Sequence, residues 1–264
     1  RQLLRPQHRG DRAEITAAFM RGLFNSSDPT GASGAGLMPA GEQGRSVTAA
    51  ELLDRGAKLI ATQLKEEPLS RAALLDTIGN VSRALGLYQQ ALPLLDEALA
   101  IRRKLLEPGD PDLAHSMVHL GNWHAEKGDT KLAEKLYHEA LELFRKHDDP
   151  EGLAVAEVKL RIAILLSVFA HPDAEKWARE SLAIRSRLLG PRHRDTAVAK
   201  LTVSTCLIQG GKAVEAAKLG FEAINDVIAD GSKEKELVLN AVGNFQQAMV
   251  FREIRQHALA EGLF

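Results

Sequence analysis

The sequence predicts an all-α solenoid of antiparallel helix pairs, and three observations predict it. Ala91, Ala133, Ala174 and Ala216 fall 42, 41 and 42 residues apart, and each is followed seven places on by a second small residue, Ala98, Ala140, Ser181 or Ala223. A fixed period of this size marks a stacked repeat array in which no unit can bury its apolar face alone. A second series of small residues, Gly79, Gly121, Ala163 and Ser204, sits mid-way along the intervening segments, where facing helices need close backbone approach. Helix breakers fall where the period asks for them. Gly86, Gly128 and Gly211 end three first helices, with Ala170 at that place in the third repeat, and Pro108, Pro111, Pro150 and Pro191 separate the repeats.

Taken in order, residues 1–24 read as a lead-in helix, with Ile15, Phe19 and Leu23 spaced four apart and five Arg against Asp11 and Glu14. Residues 25–47 read as a flexible Gly/Ser/Pro linker. Its glycines lack the preceding strand and following helix that a phosphate loop requires. An N-terminal packing helix occupies 48–66, opened by a capping box of Thr48 with Glu51 and reaching about Lys65. Pro68 marks the next start. Four helix pairs follow, at about 67–108, 109–150, 151–192 and 193–232. Their first helices are expected at 69–85, 112–127, 154–169 and 196–210, and their second helices at 88–106, 130–147, 173–189 and 213–229. Asp112 is placed to cap the first helix of the second pair. Residues 233–264 form a partial or capping helix pair.

Composition excludes several function classes. Net charge is -1 and aromatic content 5%, so neither a basic field nor a stacking platform for nucleic acid is present. The single Cys206 excludes an internal disulfide and a cysteine-built zinc site, and its apolar helical surroundings predict an inert core thiol. No stretch approaches the roughly 20 apolar residues that span a bilayer. The chain starts at Arg1 rather than Met and is expected to be a fragment of a longer protein.

The repeated positions resemble the tetratricopeptide repeat family, read in the second repeat as Leu120, Gly121, Gly128, Ala133, Tyr137 and Ala140. The period and the phrase LeuAlaIleArgArgLysLeuLeu at 99–106, echoed by LeuAlaIleArgSerArgLeuLeu at 182–189, resemble the kinesin-light-chain type. The third repeat lacks the mid-helix glycine and Gly220 replaces the usual aromatic in the fourth, departures expected to weaken local packing. The resemblance implies a right-handed superhelix whose concave face is lined by the first helices. A broader likeness is carried by PheMetArgGlyLeuPheAsnSerSerAspPro (19–29), ValThrAlaAlaGluLeuLeuAspArgGlyAla (47–57), LeuLeuAspThrIleGly (74–79) and AlaLeuGlyLeuTyr (84–88). That order is similar to the region following the catalytic domain in bacterial serine/threonine protein kinases. The chain itself carries no lysine strand and neither the HRD nor the DFG motif, so it is not expected to be an enzyme.

On the face the resemblance assigns to ligand lie Thr77, Asn80, Arg83, His115, His119, Asn122, Glu126, Glu157, Arg161, Thr202 and Thr205, with Ile164 and Val168 further along the third repeat. Asn80 and Asn122 follow the small residue of their helices, and asparagine offers a donor and an acceptor together, suited to a ligand backbone. Arg83 and Arg161 can receive a carboxylate, or pair internally with Asp76, Glu126 or Glu157. His115 and His119 stand four apart, a metal-compatible spacing, with Glu126 or Glu157 as the only third ligand. Groove lining is the favoured role, and no metal or cofactor is expected. His124 falls on the packing face as a hydrogen-bonded core histidine.

These readings make the chain a protein–protein interaction module binding a peptide or protein, the docking arm of a larger bacterial signalling kinase. Nucleic acid and direct membrane insertion are not expected. The alternatives are a self-association scaffold (a homo-oligomer formed through Phe245, Val250 and Phe251) or a small-molecule or metal sensor. Cytoplasmic placement is the default, extracytoplasmic if the parent kinase is membrane-anchored.

Overall fold

Thr48 and Glu51 form the anticipated capping box: Glu51 N–H donates to the Thr48 hydroxyl at 3.2 Å, and Thr48 N–H donates to Glu51 Oε2 at 3.0 Å. From this cap the computed structural model describes residues 48–147 and 151–229. The expectations for 1–47, for Pro150 and for 233–264 lie outside the described residues. Among those described there are nine helices and no strand: α1 (Ala49–Gln63), α2 (Pro68–Ala84), α3 (Tyr88–Leu105), α4 (Pro111–Glu126), α5 (Thr130–His147), α6 (Leu153–Ser167), α7 (Ala174–Leu189), α8 (Arg194–Gln209) and α9 (Ala213–Ala229). The fold is an all-α repeat array. Its helices group into two compact units that divide after Lys127, the first holding α1–α4 and the second α5–α9.

Helix boundaries follow local chemistry. Pro68 and Pro111 stand in the first turns of α2 and α4, where a missing N–H costs nothing. The cap of α4 is Asp110, not Asp112. The Asp110 carboxylate accepts from Asp112 N–H at 2.9 Å, because Pro111 must be the first helical residue and so sets the cap one place before it. At the other ends, Gly86, Gly128 and Gly211 take φ of 77°, 85° and 74°, and Ala170 is held at φ 49° in the same role. Around Gly86, Leu87 N–H donates to Ser82 O at 2.8 Å and Gly86 N–H to Arg83 O at 2.9 Å. The same pair recurs as His171 to Leu166 and Ala170 to Ser167, each at 3.1 Å. The third repeat therefore keeps the left-handed cap and pays for it with an alanine in a conformation that crowds its Cβ.

In the first unit α1 packs on α2, α2 on α3 and α4, and α3 on α4. Ile60, Leu64, Ala72, Leu74, Leu75, Ile78 and Ala98 form its core cluster. In the second unit α6 packs on α5, α7 and α8, and α8 on α7 and α9. There Ala163, Ala174, Ala178, Val203, Cys206, Leu207 and Ala216 form the main cluster.

The small residues work as facing pairs whose sizes trade off. A Cβ on Gly79 would lie 2.9 Å from Leu95 Cγ and 3.3 Å from Ala91 O. In the fourth repeat the larger Ser204 stands at the Gly79 position, and Gly220 stands at the Leu95 position. Ser204 Oγ donates to Ala216 O at 2.8 Å, and a Cβ on Gly220 would lie 3.4 Å from that Oγ. Within the fourth repeat Ser204 and Gly220 are thus coupled: where the first helix gains volume the second loses it. Packing is redistributed rather than lost.

One register was not drawn from the sequence. Ala49, Leu53, Gly56 and Ile60 precede Ala91, Leu95, Ala98 and Arg102 by 42 residues each. α1 therefore stands in the register of a second helix.

Candidate functional site

The first helices of the pairs are α2 and α4 in the first unit, α6 and α8 in the second, and each unit presents its own set of the anticipated residues. In the first unit Arg83 organises three of them. Its Nε and Nη2 donate to Asn80 Oδ1 at 3.2 and 3.1 Å, and its Nη1 pairs with Glu126 across from α4. Arg83 is thus committed internally, the alternative its position allowed. Asn80 Oδ1 is engaged as an acceptor, so the hydrogen-bonding capacity that remains on its side chain is mainly that of the amide donors.

Asn122, in the same register on α4, is only 6% exposed, whereas Asn80 is half-buried. Thr77 is exposed, and its hydroxyl donates to Ala73 O at 2.9 Å. His115 retains exposed surface while protein crowds its ring. Partial loss of hydration, with the neighbouring His119 second, holds its pKa below the usual histidine value. His119 Nδ1 lies 3.1 Å from Asp76 Oδ2, an ion-pair distance without hydrogen-bond alignment. His124 is half-buried and edge-on to Trp123, ring centroids 5.1 Å apart.

Beneath this face lies a group that sequence reasoning missed. Asp76, 4% exposed, accepts from Arg102 Nη1 at 2.9 Å, and the same nitrogen donates to Ser116 Oγ at 2.6 Å and Asp112 O at 3.0 Å. Arg102 of α3 thereby ties α2 to α4. Burial alone would raise the Asp76 pKa, but the pull of His119 and then Arg102 outweighs it and holds the carboxyl below its ordinary 3.8.

In the second unit Glu157 accepts from Arg161 Nε at 2.7 Å and pairs with Arg185 of α7, whose Nη1 donates to Asp195 O at 2.9 Å. Burial pushes the Glu157 pKa up, but Arg161 and Arg185 together bring it below the usual value. Arg185 is the register equivalent of Arg102, and ties α6 to α8 as Arg102 ties α2 to α4. The repeated LeuAlaIleArg phrase was the available signal. Thr202 is 8% exposed and donates to Val198 O, and Thr205 donates to Leu201 O, at 3.0 and 3.1 Å. Past Arg161 the face turns apolar: Ile164 and Val168 stand one turn apart, followed by Phe169, with Val168 71% and Phe169 64% exposed.

Among the described residues no three His, Cys, Asp or Glu side chains group as a metal site. No described helix is long and apolar enough to cross a membrane.

Antiparallel helix pairs at a period of 41 or 42 residues, with small residues at each crossing, define a helical-repeat module. Residues 70–146 and residues 163–195 each match a family model described as tetratricopeptide repeat, and the chain carries tetratricopeptide repeats. Repeats of this kind generally serve protein–protein interaction. The structure of BtubC (BKLC) from P. vanneervenii is similar at 21% identity, covering 82% of this chain and 94% of that one with a TM-score of 0.61. That of a Podosopora anserina putative kinesin light chain with nearly identical TPR-like repeats is similar at 17% identity, covering 85% and 97%, with a TM-score of 0.56. Nephrocystin-3 of Xenopus tropicalis is 34% identical over 76 residues, 29% of this chain, and the match spans 6% of that protein.

Proposed function

We propose that the first-helix faces receive a peptide or protein segment, and that the array is the regulatory or docking arm of a larger bacterial signalling kinase. The observation carrying the first part is the Asn80–Arg83–Glu126 set, in which side chains are already held by one another before any ligand arrives. A polar surface ordered in advance loses little side-chain freedom on binding, so more of its contact energy appears as affinity. On the first unit's face Asn80 supplies donors to a ligand carbonyl; on the second unit's own face Ile164 with Val168 supplies apolar contact. The kinase assignment rests on the sequence order of segments 19–29, 47–57, 74–79 and 84–88.

The test is a selection of displayed random peptides on the full chain, followed by Kd measurement for the recovered ligands. Asn80→Ala or Ile164→Ala is expected to weaken binding about 3–10-fold, the worth of one hydrogen bond or one apolar contact, while Lys135→Ala on α5 leaves it unchanged. Ligands bound equally by both face variants would refute the assignment of this surface. For the second part, the parent polypeptide isolated from source cells should transfer phosphate from ATP to serine or threonine; no transfer removes the kinase reading.

A further inference from the structure

The α1 helix holds the second-helix place of a repeat whose first helix is not among the described residues. Gly56 and Ile60 are buried on the side that meets α2, as their register equivalents Ala98 and Arg102 are buried one repeat later. The N-terminal half of the same stripe is open. Ala49 is exposed and Leu53 only half-buried, whereas Ala91, Ala133, Ala174 and Ala216 are at most 1% exposed and Leu95 is fully buried.

In complete repeats that half of the stripe is what meets the first helix of its own pair. Gly79 approaches Ala91 O closely enough that a Cβ would lie 3.3 Å away, and Ser204 Oγ bonds Ala216 O at 2.8 Å. The exposed Ala49 therefore marks a helix slot that none of the described residues fills. The residue 42 places before Gly79 is Leu37, and around it run Gly31, Gly34, Gly36, Pro39, Gly41 and Gly44, a composition that disfavours helix strongly.

We propose that this slot is filled in cis by residues 1–24, which skip the linker and lie against Ala49 and Leu53 as the missing first helix. That segment carries the nearest upstream apolar stripe of helical spacing, Ile15, Phe19 and Leu23. The linker 25–47 reaches at most about 80 Å when extended, more than three times the ~24 Å length of a 16-residue helix, so it permits the antiparallel placement with slack. Tethering supplies an effective concentration of order millimolar, enough for a modest apolar contact to be filled. Charge agrees as well. Antiparallel placement brings the arginine-rich start, Arg5, Arg9 and Arg12, alongside the end of α1, where Glu66 and Glu67 are exposed.

The test uses the full chain carrying Phe19→Cys with Ala49→Cys, oxidised at low micromolar concentration. The buried Cys206 does not compete. An intrachain disulfide is expected for this pair and not for Phe19→Cys with Lys135→Cys. In parallel, Ile15→Asp/Phe19→Asp should speed amide hydrogen exchange across Ala49–Gln63 by ~10-fold while leaving α3 unchanged. Covalent dimers in place of the intrachain link would assign the slot to a second copy, and overturn the proposal. So would α1 exchange that the aspartates do not move, which leaves the slot to a helix of another protein.

Discussion

Substituting Gly79 and Gly220 by alanine, one at a time, should move local stability in opposite directions, although both glycines lie inside helices. Each substitution gains about 0.8–1 kcal/mol of helix propensity. At Gly79 the new Cβ meets Leu95 Cγ and Cδ2 at 2.9 Å and the Ala91 carbonyl oxygen at 3.3 Å. Leu95 is fully buried, so its branch point has nowhere to retreat, and the carbonyl is backbone. Overpacking of this kind costs about 1–3 kcal/mol, which leaves a net loss of roughly 1 kcal/mol. At Gly220 the nearest atom is Ser204 Oγ at 3.4 Å, so the propensity gain survives nearly whole. Urea unfolding followed by circular dichroism gives the sign of each change. Hydrogen exchange then localises the first to α2–α3 and the second to α8–α9, since repeat arrays lose stability by neighbouring units. Leu95→Ala should also cost less in the Gly79→Ala background than alone, because the added methyl fills part of the cavity. Equal stabilisation by both alanines would refute the size-exchange account.

Three further outcomes follow from single groups. Because Asp76 titrates below its ordinary 3.8 when folded, its contribution is fully present above that value and fades as pH falls through the folded pKa. Asp76→Asn should cost about 3 kcal/mol at pH 7, and the gap from the parent, measured by urea melts, should stay level to about pH 5 and narrow below pH 4. A gap that widens on acidification would contradict the Arg102 pairing. Burial, then the charge of Glu175, pushes the Cys206 thiol up to about 11, so iodoacetamide at pH 8 should leave it unlabelled in the folded chain and label it promptly in urea. Ala170→Gly should raise the urea midpoint by an equivalent of about 1 kcal/mol, the relief of a left-handed alanine at φ 49° less the entropy glycine adds to the unfolded chain.

Most of the helix boundaries were legible because they are set by residues acting locally. Thr48 with Glu51, Pro68, Gly86 and Gly211 each fix a terminus within one turn, and the observed ends match the expected ones or differ by at most two residues. The Asp112 assignment failed by a local rule overlooked: proline at the first helical position moves the cap to Asp110. Partners were harder to read than positions. Asn80 and Asn122 share a register, yet one is half-buried and bonded to Arg83 and the other is 6% exposed. Periodicity fixes which way a side chain points and is silent on what stands opposite. For the same reason Asp76 and Arg102, 26 residues apart on different helices, gave no signal as a pair.

The arginine ties bear directly on how a first-helix face could recognise anything. Arg102 and Arg185 each reach from a second helix to the first helices on both sides, through Asp76 and Asp112 O in one case and Glu157 and Asp195 O in the other. At the equivalent place in the second repeat Phe144 is 1% exposed, so an apolar ring serves there. A hydrophobic residue would fill that volume at lower desolvation cost, since buried ion pairs gain little net stability over well-packed apolar groups. What the guanidinium adds is direction. It bonds a backbone carbonyl near the start of the next first helix, at a fixed distance, and so sets that helix against its predecessor in rotation as well as separation. Adjacent first helices held in register keep Asn80 opposite Glu126 within each other's reach through Arg83. The side chains assigned to ligand in the proposed function are therefore positioned by buried charges beneath them.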